Sequence, residues 1–211
     1  MSLEVTTFIN GRWKENCHLV SDNGLAIVID PGSQADDLMG LIEQKGWQVL
    51  AILNTHGHFD HIGAVAPLKD RFQIPFYLHS ADEKLLQRAN LFRMVFEARD
   101  PISVPAITHD ISGQPENFAI GPFKISWMST PGHTDGSVCF RMGNFLFSGD
   151  TLMHNAIGRT DLPGGDSAQL LQSVQKLMSL PGETSVYGGH GPRTTIAEEF
   201  APGSRVRSLI A

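Results

Sequence analysis

Thr55-His56-Gly57-His58-Phe59-Asp60-His61 sets three imidazoles and a carboxylate within positions 56 to 61. Imidazole nitrogens and carboxylate oxygens suit Zn, Fe and Mn alike, and a stretch of merely solvated polar residues has no reason to take this pattern. The heptapeptide follows Val49-Leu50-Ala51-Ile52-Leu53, a continuous apolar run of strand length. It precedes Ile62, Val65, Ala66 and Leu68, whose spacing predicts a helix from His61 to Arg71, bent or interrupted at Pro67. Strand, ligand loop, helix is the order of an α/β fold, which places its chemistry in loops beyond strand ends.

The same arrangement recurs three times downstream. Ile125 to Met128 leads into Thr130-Pro131-Gly132-His133, Phe145-Leu146-Phe147 into Ser148-Gly149-Asp150, and Val186-Tyr187 into Gly188-Gly189-His190-Gly191-Pro192. Gly57, Gly132, Gly149, Gly189 and Gly191 suit loops folded tightly around an ion. The candidate ligands are therefore His56, His58, Asp60, His61, His133, Asp150 and His190. They are too many for one tetrahedral ion with an open position, so two divalent ions are expected, zinc first and iron or manganese as alternatives, with Asp150 shared between them.

The remaining chain supplies a scaffold. Leu25 to Gly32 reads as a buried strand stopped by an Asp-Pro-Gly turn, and Gln34 to Lys45 as a helix capped by Ser33. Ala81 to Arg99 reads as a second amphipathic segment, followed by an irregular connection from Asp100 to Gly113. Phe118-Ala119-Ile120, Phe123 to Met128, Ser137 to Met142 and Phe145-Leu146-Phe147 form a predicted meander, and Ser167 to Met178 a helix capped by Ser167. No linker composition divides residues 1–211, so a single domain is expected.

Composition narrows the function classes. A hydrophobic fraction of 41% supports a buried core, and a net charge of -6 without a basic cluster argues against nucleic acid. The N-terminal stretch has no basic segment followed by an apolar core, and there is no apolar run long enough to span a membrane, so a soluble cytoplasmic protein is expected. Cys17 and Cys139 lie in strand-like stretches and read as buried thiols; a disulfide is not required. His18, His79, His109 and His154 lack a ligand-like setting and are left outside the site. Two residues keep open readings. Asp30 either accepts a hydrogen bond from a ligand imidazole or serves only its turn. Arg159, in Gly158-Arg159-Thr160-Asp161, either grips an anionic substrate or pairs with Asp161 or Asp166. Two divalent ions outweigh the carboxylates that would hold them, which points to a small, anionic substrate and to metal-assisted hydrolysis.

The order His-x-His-x-Asp-His, His, Asp, His resembles that of the metallo-β-lactamase fold superfamily, from Asp30-Pro31-Gly32 to His190-Gly191-Pro192. The resemblance implies an αββα sandwich of two mixed β-sheets flanked by helices. It also implies a first metal on His56, His58 and His133, a second on Asp60, His61 and His190, Asp150 as bridge, and Asp60 as the residue orienting a metal-bridging hydroxide. Within the superfamily, Thr55 to His61, Thr130 to Thr134 and Ser148-Gly149-Asp150-Thr151-Leu152 look like the signatures of glyoxalase II. Full-length glyoxalase II enzymes carry a helical C-terminal extension, whereas about twenty residues follow His190 here, so the likeness is to compact bacterial type II glyoxalase-like proteins. Thioester hydrolysis, of hydroxyacylglutathione type, is the activity this implies. A persulfide dioxygenase with one iron is the alternative, since Thr130 to Gly136 and Gly158 to Asp161 also resemble that family. A lactone or β-lactam hydrolase and a non-catalytic metal-binding module fit less well. Cys17 and Cys139 lie off the ligand loops, and structural zinc sites are closed cages.

Overall fold

Two six-stranded mixed sheets lie face to face with helices outside them, in a computed structural model that describes residues 3–97 and 100–210. The first sheet takes its strands in chain order: β1 (Glu4–Asn10), β2 (Glu15–Asp22), β3 (Leu25–Ile29), β4 (Gln48–Leu53), β5 (Phe76–Leu78) and β6 (His109–Asp110). β1 to β3 are antiparallel and β3 to β6 parallel. In the second sheet the meander β7 (Asn117–Ile120), β8 (Phe123–Ser129), β9 (Val138–Met142) and β10 (Phe145–Gly149) pairs antiparallel. It is completed by β13 (Ser185–Gly188), parallel to β10, and the short β14 (Thr194–Thr195). A hairpin of β11 (Leu152–Met153) and β12 (Ala156–Ile157) stands apart.

Strand alternation decides which core each side chain joins. Ile27 and Ile29 of β3, Ala51 and Leu53 of β4, and Val138 and Phe140 of β9 fill the layer between the sheets. Their neighbours Val28 and Ile52 point instead toward α1 (Ala35–Gln44), α3 (Val65–Phe72) and α5 (Ala89–Glu97), meeting Leu38, Ile42, Val65 and Leu68. Cys139, Leu146 and Val186 point out of the second sheet toward Leu170, Val174 and Leu177 of α6 (Ser167–Leu177). Three apolar layers are what an αββα sandwich requires. Each fully buried aliphatic or aromatic side chain stabilises it by about 1.5–3 kcal/mol. The two cysteines are free and buried in different layers. Among the described residues no helix is long and apolar enough to cross a membrane.

Four local expectations change. Ser33 does not cap α1; its hydroxyl donates to Asn10 Oδ1 at 2.8 Å, and Gln34 takes the cap position in a left-handed conformation. Pro67 breaks nothing, because it falls in the first turn of α3, where its missing N–H would have had no partner. The interruption comes earlier, between α2 (Phe59–Ile62) and α3. The segment from Ala81 divides into a 3-10 turn at Ser80–Asp82, α4 (Glu83–Gln87) and α5, with Arg99 outside the described residues. Asp166 rather than Ser167 caps α6, accepting from Gln169 N–H at 3.0 Å. Two short helices, α7 (Ile196–Glu199) and α8 (Arg205–Leu209), finish the chain on the α6 side.

Candidate metal centre

All seven candidate ligands lie at one end of the sandwich, at the ends of strands from both sheets. Past β4 the chain runs extended through His56 and His58, then turns into α2, so that Asp60 and His61 project from its first turn. Asn54 closes this loop by donating its side-chain amide to His61 O at 2.8 Å, and Val138 N–H donates to Thr55 O at 2.9 Å from the second sheet. His133 follows β8, Asp150 follows β10 and His190 follows β13. At Gly149, where φ is 48°, a side chain would be strained and would collide with Thr55, so glycine lets the Asp150 strand end close against the heptapeptide.

Two triads result. His56, His58 and His133 present ligand atoms within 4.8 Å of one another, as do Asp60, His61 and His190. His58 Nδ1 lies 2.9 Å from His133 Nε2, and His190 Nε2 lies 3.6 Å from Asp60 Oδ2. Asp150 spans both groups: its Oδ1 is 3.7 Å from His61 Nε2, and its Oδ2 is 3.5 Å from His133 Nε2 and 3.7 Å from His190 Nε2. His56 Nε2, His58 Nε2, His61 Nε2 and Asp150 Oδ1 are buried without a hydrogen-bond partner. Burying such atoms unpaired costs about 1–3 kcal/mol each. Orphaned atoms of metal-ligating type gathered from His56, His61 and Asp150 fit a centre for divalent cations.

Electrostatics point the same way at His56, His58 and Asp150. Burial, reinforced by the surrounding imidazoles, holds His56 and His58 well below the usual histidine range, in the neutral form a metal requires. Burial opposes ionisation of Asp150 too, but His61, His133 and His190 outweigh it and pull its carboxyl down, keeping it an anion. Burial also works against a charged His61, yet Asp30, Asp60 and Asp150 prevail and raise it well above the usual range.

Two of the nitrogens facing away from the centre are anchored by backbone carbonyls. His133 Nδ1 donates to Arg159 O at 2.8 Å, and His190 Nδ1 to Trp13 O at 3.1 Å. His61 Nδ1 lies 3.3 Å from Asp30 Oδ2, while His56 Nδ1 lies 3.0 Å from Thr55 Oγ1, which itself donates to Asp30 Oδ2 at 2.6 Å. Asp30, at φ 50° and buried, thus stands behind two candidate ligand histidines at once. Partners of this kind fix imidazole orientation and tautomer. The Arg159 guanidinium is held by Asp161 through two bonds of 2.7 Å, leaving its backbone carbonyl as the group that touches a ligand.

Several supporting residues carry no sequence signal of a site. Asn16 donates its amide to Gly188 O at 3.0 Å and Gly191 O at 2.8 Å, bracketing His190. Glu15, buried, with desolvation raising its carboxyl well above the usual range, lies 3.9 Å from His61 Nδ1. Asp82 joins the His56–His58 loop to the His133 loop. His18, left outside the ligand set, is a core histidine whose Nε2 lies 3.1 Å from Gly188 O. His79, His109 and His154 also stand apart from the triads. Over the centre opens a cavity of about 340 Å³ walled by Trp13, Phe59, Phe96, Met153 and Leu162, with Arg159 among its lining residues.

Known proteins share this architecture. A family profile described as the metallo-beta-lactamase superfamily matches residues 10–190. The probable metallo-hydrolase YqgX of Bacillus subtilis is 37% identical over 192 residues, 90% of each chain. Hydroxyacylglutathione hydrolase GloC of Haemophilus influenzae is 32% identical over 89% of this chain and 90% of its own. Among solved structures, the B3 metallo-beta-lactamase BLEG-1 superposes with a TM-score of 0.90 at 36% identity, covering 96% of this chain and 99% of that one. TTHA1623 in a di-iron-bound form superposes with a TM-score of 0.82 at 38% identity, covering 93% and 98%. With the αββα layers, the histidine-aspartate centre and these likenesses in agreement, the chain belongs to the metallo-beta-lactamase superfamily.

Proposed function

We propose that the protein is a binuclear metallo-hydrolase of thioesters, with hydroxyacylglutathione-type substrates first among them. The observation that carries the reading is Asp150, whose two oxygens face histidines of both triads. In this reading His56, His58 and His133 hold one ion, Asp60, His61 and His190 the other, and Asp150 serves both. Divalent ions so held bring the pKa of bound water toward neutrality and polarise an acyl carbonyl.

The chain's own residues do the rest. Asp60, partly exposed and lining the cavity, is placed to orient the attacking water. Trp13, Phe59, Phe96, Met153 and Leu162 exclude bulk water around the acyl group, which strengthens every electrostatic interaction inside. Arg159 offers the substrate a cation once Asp161 releases it. The similarity to GloC supports the thioester reading, and the similarity to TTHA1623 supports a centre able to take two ions, iron included. A second reading, β-lactam hydrolysis, has the likeness to BLEG-1 in its favour.

The test is elemental analysis per protomer together with a panel of S-lactoylglutathione, simpler thioesters, lactones and a penicillin. Two metal equivalents and thioester turnover, lost in Asp60→Asn and His58→Ala variants that still fold, are expected. Turnover of the penicillin alone would transfer the assignment to the second reading. One iron per protomer, with oxygen uptake and sulfite formed from glutathione persulfide, would replace hydrolysis by a dioxygenase.

A further inference from the structure

Asp82 is 1% exposed and lies 25 residues beyond the heptapeptide's Gly57, at the end of the 3-10 turn that follows β5. Its carboxylate accepts from Gly57 N–H at 2.8 Å, from Thr134 Oγ1 at 2.8 Å and from Gly136 N–H at 2.7 Å. Gly57 is the residue between His56 and His58, and Thr134 is the neighbour of His133. One buried carboxylate therefore ties together the two loops that supply the first triad. A Cβ on residue 136 would come within 2.7 Å of Asp82 Cγ, so the His133 loop approaches this carboxylate as closely as glycine allows. Asp110 makes a matched but remote set, accepting from Ser80 N–H at 3.0 Å and from Ser112 N–H and Oγ at 2.9 and 2.6 Å. It touches neither ligand loop.

We propose that Asp82 is a positioning residue that sets the separation of His133 from His56 and His58, and thereby the affinity of that triad for its ion. The inference rests on the reading in which these three histidines hold a metal. A carboxylate is required because all three partners present hydrogens. In Asp82→Asn one oxygen still accepts, but the amide NH₂ confronts at least one N–H, and the loops must separate to relieve it. Outer partners of this kind change metal affinity about 10–100-fold.

The experiment is a competitive zinc titration with a chromophoric chelator, resolving both equivalents, on the wild-type chain and on Asp82→Asn, Asp110→Asn, Thr134→Val, Thr134→Ser and His133→Ala. Urea unfolding of each protein runs in parallel. Expected is an affinity loss of about 10–100-fold for one equivalent in Asp82→Asn. A smaller loss of the same equivalent is expected in Thr134→Val, and wild-type affinity in Thr134→Ser and Asp110→Asn. Should Asp82→Asn not fold, the Thr134 pair carries the test alone. Wild-type affinity in both Asp82→Asn and Thr134→Val would overturn the proposal, as would equal weakening of both equivalents in step with lost stability. If His133→Ala leaves two tight equivalents, the metal reading itself fails; if it removes one while Asp82→Asn removes none, only the role of Asp82 does.

Discussion

Asp30→Asn changes one oxygen to nitrogen in a buried site and separates packing from electrostatics. Asp30 Oδ1 accepts from Thr55 N–H at 2.7 Å, and an asparagine oxygen can keep that bond. The amide NH₂ then takes the place of Oδ2, which accepts from Thr55 Oγ1 at 2.6 Å and lies 3.3 Å from His61 Nδ1. The Thr55 hydroxyl can rotate to accept instead, but His61 meets the new donor only by giving up its Nδ1 proton. The remaining proton then sits on Nε2, the atom 3.7 Å from Asp150 Oδ1, and has to leave before that nitrogen can ligate. Hydrogen bonds to charged groups contribute about 1.5–3 kcal/mol each; the Thr55 bond is replaced only in part and the His61 contact turns repulsive, so a destabilisation of about 1.5–3 kcal/mol is expected. Metal affinity should fall about 10–100-fold, the usual consequence of losing the outer partner of a ligand histidine. Urea unfolding of the metal-loaded protein measures the first and chelator competition the second. An Asp30→Asn variant that binds two ions within about threefold of wild type and keeps its unfolding midpoint would refute the argument that Asp30 sets the His61 tautomer.

Gly132→Ala forces a φ of 126° on a residue with a side chain and drives its Cβ into the backbone of Leu170, so a loss of about 2–4 kcal/mol is expected by urea unfolding, together with lowered turnover. Stability equal to wild type would mean that α6 and the His133 loop are not rigidly packed. His18 is pushed down by burial to about 4, against 6.5 when unfolded. Its contribution is fully present above pH 6.5 and disappears as the pH falls toward 4, because the unfolded chain takes up the proton first. The gap is worth about 3 kcal/mol. Unfolding midpoints at pH 7 and pH 5 should therefore diverge more in wild type than in His18→Gln, and equal divergence counts against this origin. Arg159→Ala should raise KM for anionic thioesters without moving Tm, since the guanidinium pairs with Asp161 at the exposed surface, and Asp161→Ala should lower KM. If neither KM moves, Arg159 acts through its carbonyl alone.

The candidate ligand set is legible in the sequence because coordination chemistry restricts residue type, and because each candidate loop follows an apolar strand that announces itself. The layers are legible for a related reason: Ile27, Val28 and Ile29 alternate between two cores, a feature of strand geometry rather than of distant context. Helix starts are not. Ser33 has the chemistry of a cap, but Asn10, 23 residues away, claims its hydroxyl. Asp82 and Asn16 are invisible for the same reason, since their partners lie 25 to 175 residues distant and a buried acid or amide has no spacing rule. Arg159 draws notice in the sequence for its side chain, whereas its carbonyl is the atom that meets His133.

The two sheets divide the polypeptide in order, β1–β6 and then β7–β14 without β11 and β12, so the centre is stitched from an early half and a late half. Each triad draws two groups from the heptapeptide and one from beyond residue 130. During synthesis the triad of Asp60, His61 and His190 cannot be complete until His190 has left the ribosome. Loading of that half of the centre then belongs to the end of maturation, and a cation held there would act as a removable rivet across the seam, its grip set by how much free metal the surroundings supply.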